Sequence, residues 1–137
     1  MSPLFVKTIC SDTREGQVAQ DEIMELVEAE GFPMQDQFGI RLALEEAIVN
    51  AIKHGNKMDP TKKVQICVEI TEESLNVVIE DEGAGFRPED VPDPTAEENL
   101  EKPSGRGLML MNAFMNVMYE GCGNRVVMRK SRVAEVE

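Results

Sequence analysis

The sequence predicts an α+β fold, a two-layer α/β sandwich in which a mostly antiparallel mixed sheet carries its helices on one face. Three observations lead there. The chain has 137 residues, 42% of them hydrophobic, which is material for one core and so for a single domain over residues 1–137. Two neighbouring segments, 64–70 and 75–80, alternate apolar and polar residues about a short turn, the pattern of a hairpin with one buried face. The order of elements reads β-α-α-β-β-α-β-β, in which helices do not alternate strictly with strands, so a mostly antiparallel sheet is expected.

Residues 4–9 read as the first strand. Behind Ser11-Asp12-Thr13, residues 14–29 place Val18, Ala19, Ile23, Leu26 and Val27 at helical spacing, and Gly31 ends that helix. Residues 35–54 carry Ile40, Leu44, Ala47, Ile48 and Ala51 on one stripe and stop at Gly55, which makes this the longest helix. In the hairpin, Val64, Ile66, Val68 and Ile70 alternate with Gln65, Cys67 and Glu69. Across Glu72-Glu73-Ser74, Leu75, Val77 and Ile79 alternate with Asn76 and Glu80. Residues 87–103 hold four of the seven prolines and many acids, and read as a long loop, either a functional lid or plain disorder. Leu108, Leu110, Met111, Phe114 and Met115 then mark a helix, and 117–121 and 125–130 two last strands around Cys122-Gly123-Asn124.

A net charge of -12, from 26 acidic against 14 basic residues with no cluster of Lys and Arg, would repel a phosphate backbone and excludes nucleic acid as a direct partner. An anionic small ligand would have to be held locally, by backbone N–H groups, a helix N-terminus or a metal ion. Cys10, Cys67 and Cys122 are an odd number without C-x-x-C spacing, which fits neither a disulfide framework nor a zinc site, so reduced, buried thiols are expected. No stretch approaches the length of a membrane span and no basic-then-apolar leader opens the chain, so a cytoplasmic protein without membrane contact is expected.

Three short segments carry the chemistry. Glu46 and Asn50, four apart on the long helix and followed by His54-Gly55, share one helix face, so a carboxylate and an amide can point into one site. Taken alone, such a pair is ordinarily just the solvated side of a helix. Asp81-Glu82-Gly83-Ala84-Gly85-Phe86 stands where a buried strand ends. Its glycines permit close approach of a ligand, and Asp81 can accept a hydrogen bond from an exocyclic amine, although the same pattern also makes a plain tight turn. Ser104-Gly105-Arg106-Gly107-Leu108 opens the last helix, where free N–H groups and the positive end of the helix dipole meet; by itself the pattern is common.

The order of the three segments is specific. E-x-x-x-N on a helix, D-x-G-x-G at a strand end, a variable loop and G-x-G opening a helix resemble the N, G1 and G2 boxes of the GHKL superfamily, which includes DNA gyrase, the MutL repair protein, the ninety-kilodalton heat-shock chaperone and histidine kinases. The resemblance runs over about residues 42–129. The Asn50-Ala51-Ile52-Lys53-His54-Gly55 ending, the Gly107-Leu108-Met109-Leu110-Met111 helix and the short chain resemble the anti-sigma-factor serine/threonine kinases of bacterial sporulation and general stress.

That resemblance implies the GHKL, or Bergerat, ATP-binding fold with residues 87–103 as the ATP lid, and ATP and Mg2+ as cofactors. Asn50 would be the magnesium ligand and Glu46 the general base of phosphoryl transfer. Asp81 would hold the adenine amine, with Gly83 and Gly85 letting the base lie against the chain. Gly105, Gly107 and Leu108 would sit at the phosphates, with Arg106 or Lys102 adding positive charge. His54 would pack near the phosphates, and Lys57 is a further candidate phosphate contact. Asn124 stands where the family often has Thr beside the adenine, and its amide can still hydrogen-bond. Arg106 departs from the apolar residue frequent inside G-x-G, and its role is open between assisting catalysis and packing on the lid.

The function so implied is a serine/threonine kinase that transfers the ATP γ-phosphate to an antagonist of the STAS type and sequesters a sigma factor. The alternative is a non-catalytic module in which ATP orders the lid and selects a partner. Keeping both Glu46 and Asn50 favours the enzyme. A two-component histidine kinase is disfavoured, because no helical hairpin bearing a phospho-accepting His precedes the ATP domain and the sole histidine, His54, lies in the N box. Related kinases form dimers, so a homodimer is expected; the nine Met residues serve an adaptable interface or simply fill the core.

Overall fold

The computed structural model describes residues 4–83, 114–121 and 124–131. In chain order they form β1 (Leu4–Cys10), α1 (Thr13–Ala29), α2 (Met34–Val49), a π-helical turn (Asn50–Gly55), β2 (Lys63–Ile70), β3 (Ser74–Glu80), β4 (Asn116–Glu120) and β5 (Arg125–Ser131). The strands lie in the order β1-β2-β3-β5-β4, and all four described pairings are antiparallel. This is the α+β class that the element order predicts.

Period-two burial sets the sheet's inner face. Val64, Ile66, Val68 and Ile70 of β2 and Leu75, Val77 and Ile79 of β3 are all buried, with Ile9 of β1 and Val126 and Met128 of β5 beside them. They share one core with α1 and α2, whose Ile23, Val27, Ile40, Leu44, Ala47 and Ile48 face them. Each fully buried Ile, Leu or Val contributes about 1.5–3 kcal/mol over leaving it in water. The opposite face of the sheet carries Val6 and Met118, both exposed, so the described helices α1 and α2 lie on one side. Among the described residues no helix is long and apolar enough to cross a membrane.

Asp12 caps α1 by accepting from the Arg14 N–H at 2.8 Å. Gly31, at φ 85°, supplies the left-handed residue that stops the helix. Six buried positions of α1, Gly16, Ala19, Gln20, Ile23, Met24 and Val27, recur at three- and four-residue steps. Val18 does not belong to that stripe: it is 52% exposed, because at about 100° per residue it falls on the far side of the helix from Gly16, Ile23 and Val27. Gly16 lets the two helices approach closely. A Cβ there would lie 2.9 Å from both Ile48 Cγ2 and Ile52 Cδ1.

The expected single helix over 35–54 is instead an α-helix to Val49 followed by the wider π turn. Beyond it, Asn56 N–H donates to Ala51 O at 2.9 Å and Met58 N–H to Ile52 O at 2.9 Å. Lys57 and Met58 take positive φ values of 55° and 60°, a left-handed geometry costing about 1–2 kcal/mol for each non-glycine residue. Two further expectations are corrected. Cys10 and Cys67 are free thiols but only half-buried, and β4 spans 116–120 because Gly121, at φ 63°, already begins the turn. Of the helix expected over Leu108, Leu110, Met111, Phe114 and Met115, only the last two lie among the described residues. Met115 is buried, and Phe114 covers Gly39, where a Cβ would meet its ring at 2.6 Å.

Candidate functional site

Glu46 and Asn50 stand one turn apart, since α geometry persists to that point: the Asn50 N–H still donates to Glu46 O. Both side chains lie at the boundary of the core, half-buried. Burial, reinforced by the charge of Glu45, pushes the Glu46 carboxyl above the usual carboxylate range, which makes its ionised form the stronger base. One end of the Asn50 amide, Nδ2, is buried with no partner among the described residues. A polar atom left so costs free energy unless something bound there engages it, and a flip of the amide turns the oxygen to the same place. His54 follows in the π turn, half-buried, its pKa held below the ordinary value first by burial and then by Lys53. Lys57 stands exposed just beyond the turn.

The second part of the site forms where β3 ends. Asp81 is 8% exposed, and its Oδ1 accepts from the Gly83 N–H at 2.8 Å. Burial raises its pKa, opposed chiefly by that hydrogen bond. Gly55, the last residue of the π turn, lies directly against this carboxylate: a Cβ at Gly55 would sit 2.7 Å from Asp81 Oδ1 and nearer still to Oδ2. A Cβ at Gly83 would run into the Gly55 carbonyl. The two glycines therefore bring the helix end and the strand end, about 30 residues apart in sequence, into backbone contact. On the other side Asn124 exchanges two bonds with Asp81, Asp81 N–H to Asn124 O at 2.9 Å and Asn124 Nδ2 to Asp81 O at 2.9 Å.

The helix of Glu46 and Asn50 thus ends in a glycine that abuts the Asp81-x-Gly83 turn. Residues 11–130 match the family described as histidine kinase-like ATPase domain. The chain belongs to that family. It is similar to the anti-sigma F factor of Clostridium perfringens strain SM101, 34% identical over 98 residues that cover 66% of this chain and 69% of the relative. It is similar as well to that of Clostridium novyi, 33% identical over 106 residues, 71% and 72% of the two chains. The anti-sigma F factor of Shouchella clausii is 36% identical over 84 residues, 59% and 57% of the two chains.

As a histidine kinase-like ATPase domain the chain is an ATP-binding protein of the anti-sigma-factor type. Of the residues singled out in the sequence, Glu46, Asn50, His54, Lys57, Asp81, Gly83 and Asn124 are described. Asp81, Gly83 and Asn124 form one contact cluster, which Gly55 joins to the helix of Glu46 and Asn50. Gly85, Lys102, Gly105, Arg106, Gly107 and Leu108, with the lid 87–103, lie outside the described residues. The Asn124 amide Nδ2 donates to the Asp81 carbonyl, so this residue grips the chain that carries Asp81.

Sequence reasoning missed Asn56. It is 1% exposed and bonded on three sides, and in the sequence it is only an Asn after a helix-ending Gly, the ordinary mark of a cap.

Proposed function

We propose that this chain is a protein serine/threonine kinase that uses Mg-ATP to phosphorylate a STAS-type antagonist and that also sequesters a sigma factor, as a homodimer in the cytoplasm. The observation that carries the reading is the pairing of Glu46, a half-buried carboxyl with raised pKa, with Asn50, one end of whose amide is buried without a partner among the described residues, one helical turn away. The relatives' name, anti-sigma F factor, supports the sigma-factor part.

The residues present fit a magnesium ion. Among the described residues no group of three or more His, Cys, Asp or Glu could hold a metal alone. A hard amide oxygen at Asn50, completed by phosphate oxygens and water, is the sparse protein ligation that Mg2+ takes in nucleotide sites. When bound there with ATP, the ion neutralises charge on the phosphates. Asp81, held by the close packing of Gly55 and Gly83 around it, accepts a hydrogen bond from the adenine amine. On the same reading Gly85, Lys102, Gly105, Arg106, Gly107 and Leu108 contribute to nucleotide binding. Glu46 takes the proton of a serine or threonine hydroxyl as its oxygen attacks the γ-phosphorus. The new O–P bond forms as the β–γ bridging bond breaks, and ADP leaves.

The test is phosphate transfer from labelled ATP to a co-purified partner, beside a nucleotide titration. Glu46→Gln should bind ATP nearly as wild type while transfer falls by about 100-fold or more. Asn50→Ala should lose both. Wild-type transfer by Glu46→Gln removes Glu46 as the base. No transfer by the wild type to any captured partner leaves the ATP-gated binding module.

A further inference from the structure

Asn56 belongs to none of the three sequence boxes, yet it is among the most completely buried polar side chains described, and its bonds reach four separate segments. Its Nδ2 donates to Ser11 Oγ at 3.0 Å, at the β1–α1 junction, and to Lys63 O at 2.9 Å, at the start of β2. Its Oδ1 accepts from the Glu82 N–H at 2.8 Å. Its own backbone closes the π turn on Ala51 O. A buried amide costs free energy unless its bonds are made, so an apolar residue would serve mere packing at least as well. The amide is needed for something that only hydrogen bonds specify.

That something is one peptide unit. The Glu82 N–H and the Asp81 C=O are the two ends of the same peptide, and in a trans peptide they point in opposite directions. Asn56 takes the N–H end and Asn124 takes the C=O end. Two asparagines, one at the helix end and one at the head of β5, thus clamp the plane and fix the rotation about the Cα–C bond of Asp81. The Glu82 side chain adds a further tie by accepting from the Lys63 N–H. With the plane held, the Asp81 carboxylate, bonded to Gly83 N–H and hemmed by Gly55, has one aim.

We propose that Asn56 is a positioning residue that sets Asp81 for recognition of the 6-amino group of adenine. This rests on the reading of Asp81 as the adenine acceptor. Asn56 touches no nucleotide atom in this scheme and acts through the Asp81–Glu82 peptide.

The experiment compares affinities for ATP and for purine riboside triphosphate, which lacks the 6-amino group, in wild type, Asn56→Ala, Asn56→Asp and Ser11→Ala, each checked for folding by its thermal transition. Wild type should prefer ATP. Asn56→Ala should lower ATP affinity by about tenfold and leave the analogue within about twofold, so that the preference collapses. Asn56→Asp keeps an acceptor for the Glu82 N–H and should retain most of the preference despite lower stability. Ser11→Ala removes one of the other bonds and should lower stability with the preference intact. A folded Asn56→Ala protein with the wild-type preference overturns the proposal, as does a folded Asn56→Asp protein that loses it. Equal affinity of the wild type for the two nucleotides instead removes Asp81 as the adenine acceptor, and that arm is read without any variant.

Discussion

Substituting Gly55 by Ala adds a single methyl group at the contact between the helix end and the Asp81 turn. Gly55 does not have a positive φ, so alanine is allowed by the backbone and in open helix would be worth about 1 kcal/mol of stability over glycine. The added Cβ, however, would lie 2.7 Å from Asp81 Oδ1, and the other carboxylate oxygen would be closer. Asp81 has little room to retreat. Its Oδ1 is bonded to Gly83 N–H, its backbone is paired with Asn124, and the next peptide N–H is held by Asn56. Overpacking of this kind costs about 1–3 kcal/mol, so the net loss of stability should be about 0–2 kcal/mol, and the protein should still fold. The larger effect falls on the ligand. Displacing a carboxylate hydrogen bond worth about 1.5–3 kcal/mol should weaken ATP by roughly 10- to 100-fold. Isothermal calorimetry with Mg-ATP and thermal melts of the same samples separate the two terms. A folded Gly55→Ala protein with wild-type ATP affinity would refute the placement of the nucleotide against Asp81 and Gly55.

Asp81→Asn keeps an oxygen for Gly83 N–H but presents an amide in place of a carboxylate, so ATP affinity should fall by about tenfold or more in a calorimetric titration while the fold is retained. Glu46 has a pKa raised in the folded state, so the native protein binds its proton more tightly than the unfolded chain does. The stability this contributes is present below the unfolded value and is lost as pH rises through the folded one. Glu46→Gln should therefore melt higher than wild type at pH 7, with the gap closing as pH falls toward about 4, and phosphate transfer by the wild type should decline over the same descent as the base is protonated. A melting difference that grows on acidification would contradict the cause assigned to that shift. In the core, Leu44→Ala should cost about 2–5 kcal/mol in urea unfolding, since Leu44 is wholly buried between α2 and the sheet.

Strands and helices were legible because burial imposes period: the alternation in 64–70 and 75–79 and the stripe Ile40, Leu44, Ala47, Ile48, Ala51 lie buried as read. Val18 failed because it stands on the far side of α1 from the centre of the buried stripe, and Gly16 and Gln20, which do line that stripe, carry no hydrophobic signal. The π turn was invisible for a related reason. One extra residue in a single turn barely disturbs a 3.6-residue pattern, and the residues inside it, Asn50, Ala51, Ile52, Lys53, His54 and Gly55, read equally well as α-helix. At the site, the type and order of Glu46, Asn50, Asp81 and Gly83 were readable as a motif. The contacts that aim them were not, because Ser11, Asn56, Lys63, Glu82 and Asn124 meet only after the chain has folded, and all but Asn124 are ordinary where they stand in sequence.

The electrostatics of the site follow from the same assembly. A chain of net charge -12 binds an anionic ligand, and the described part of the site adds acids of its own, with Glu80 and Glu82 flanking Asp81 and Glu45 beside Glu46. Lys53, Lys57 and Lys62 stand near, but they are too few to reverse that balance. Attraction must therefore come from short-range, oriented groups: backbone N–H groups, the Asn50 amide and a cation carried in with the phosphates. Such groups work only at fixed geometry, which explains why so much buried hydrogen bonding is spent on one peptide plane at Asp81. It also separates this protein from basic anion-binding surfaces. On the proposed reading, screening by salt removes a long-range repulsion and leaves the local contacts in place, so nucleotide affinity depends on the rigidity of the Asp81 turn more than on the field of the whole chain.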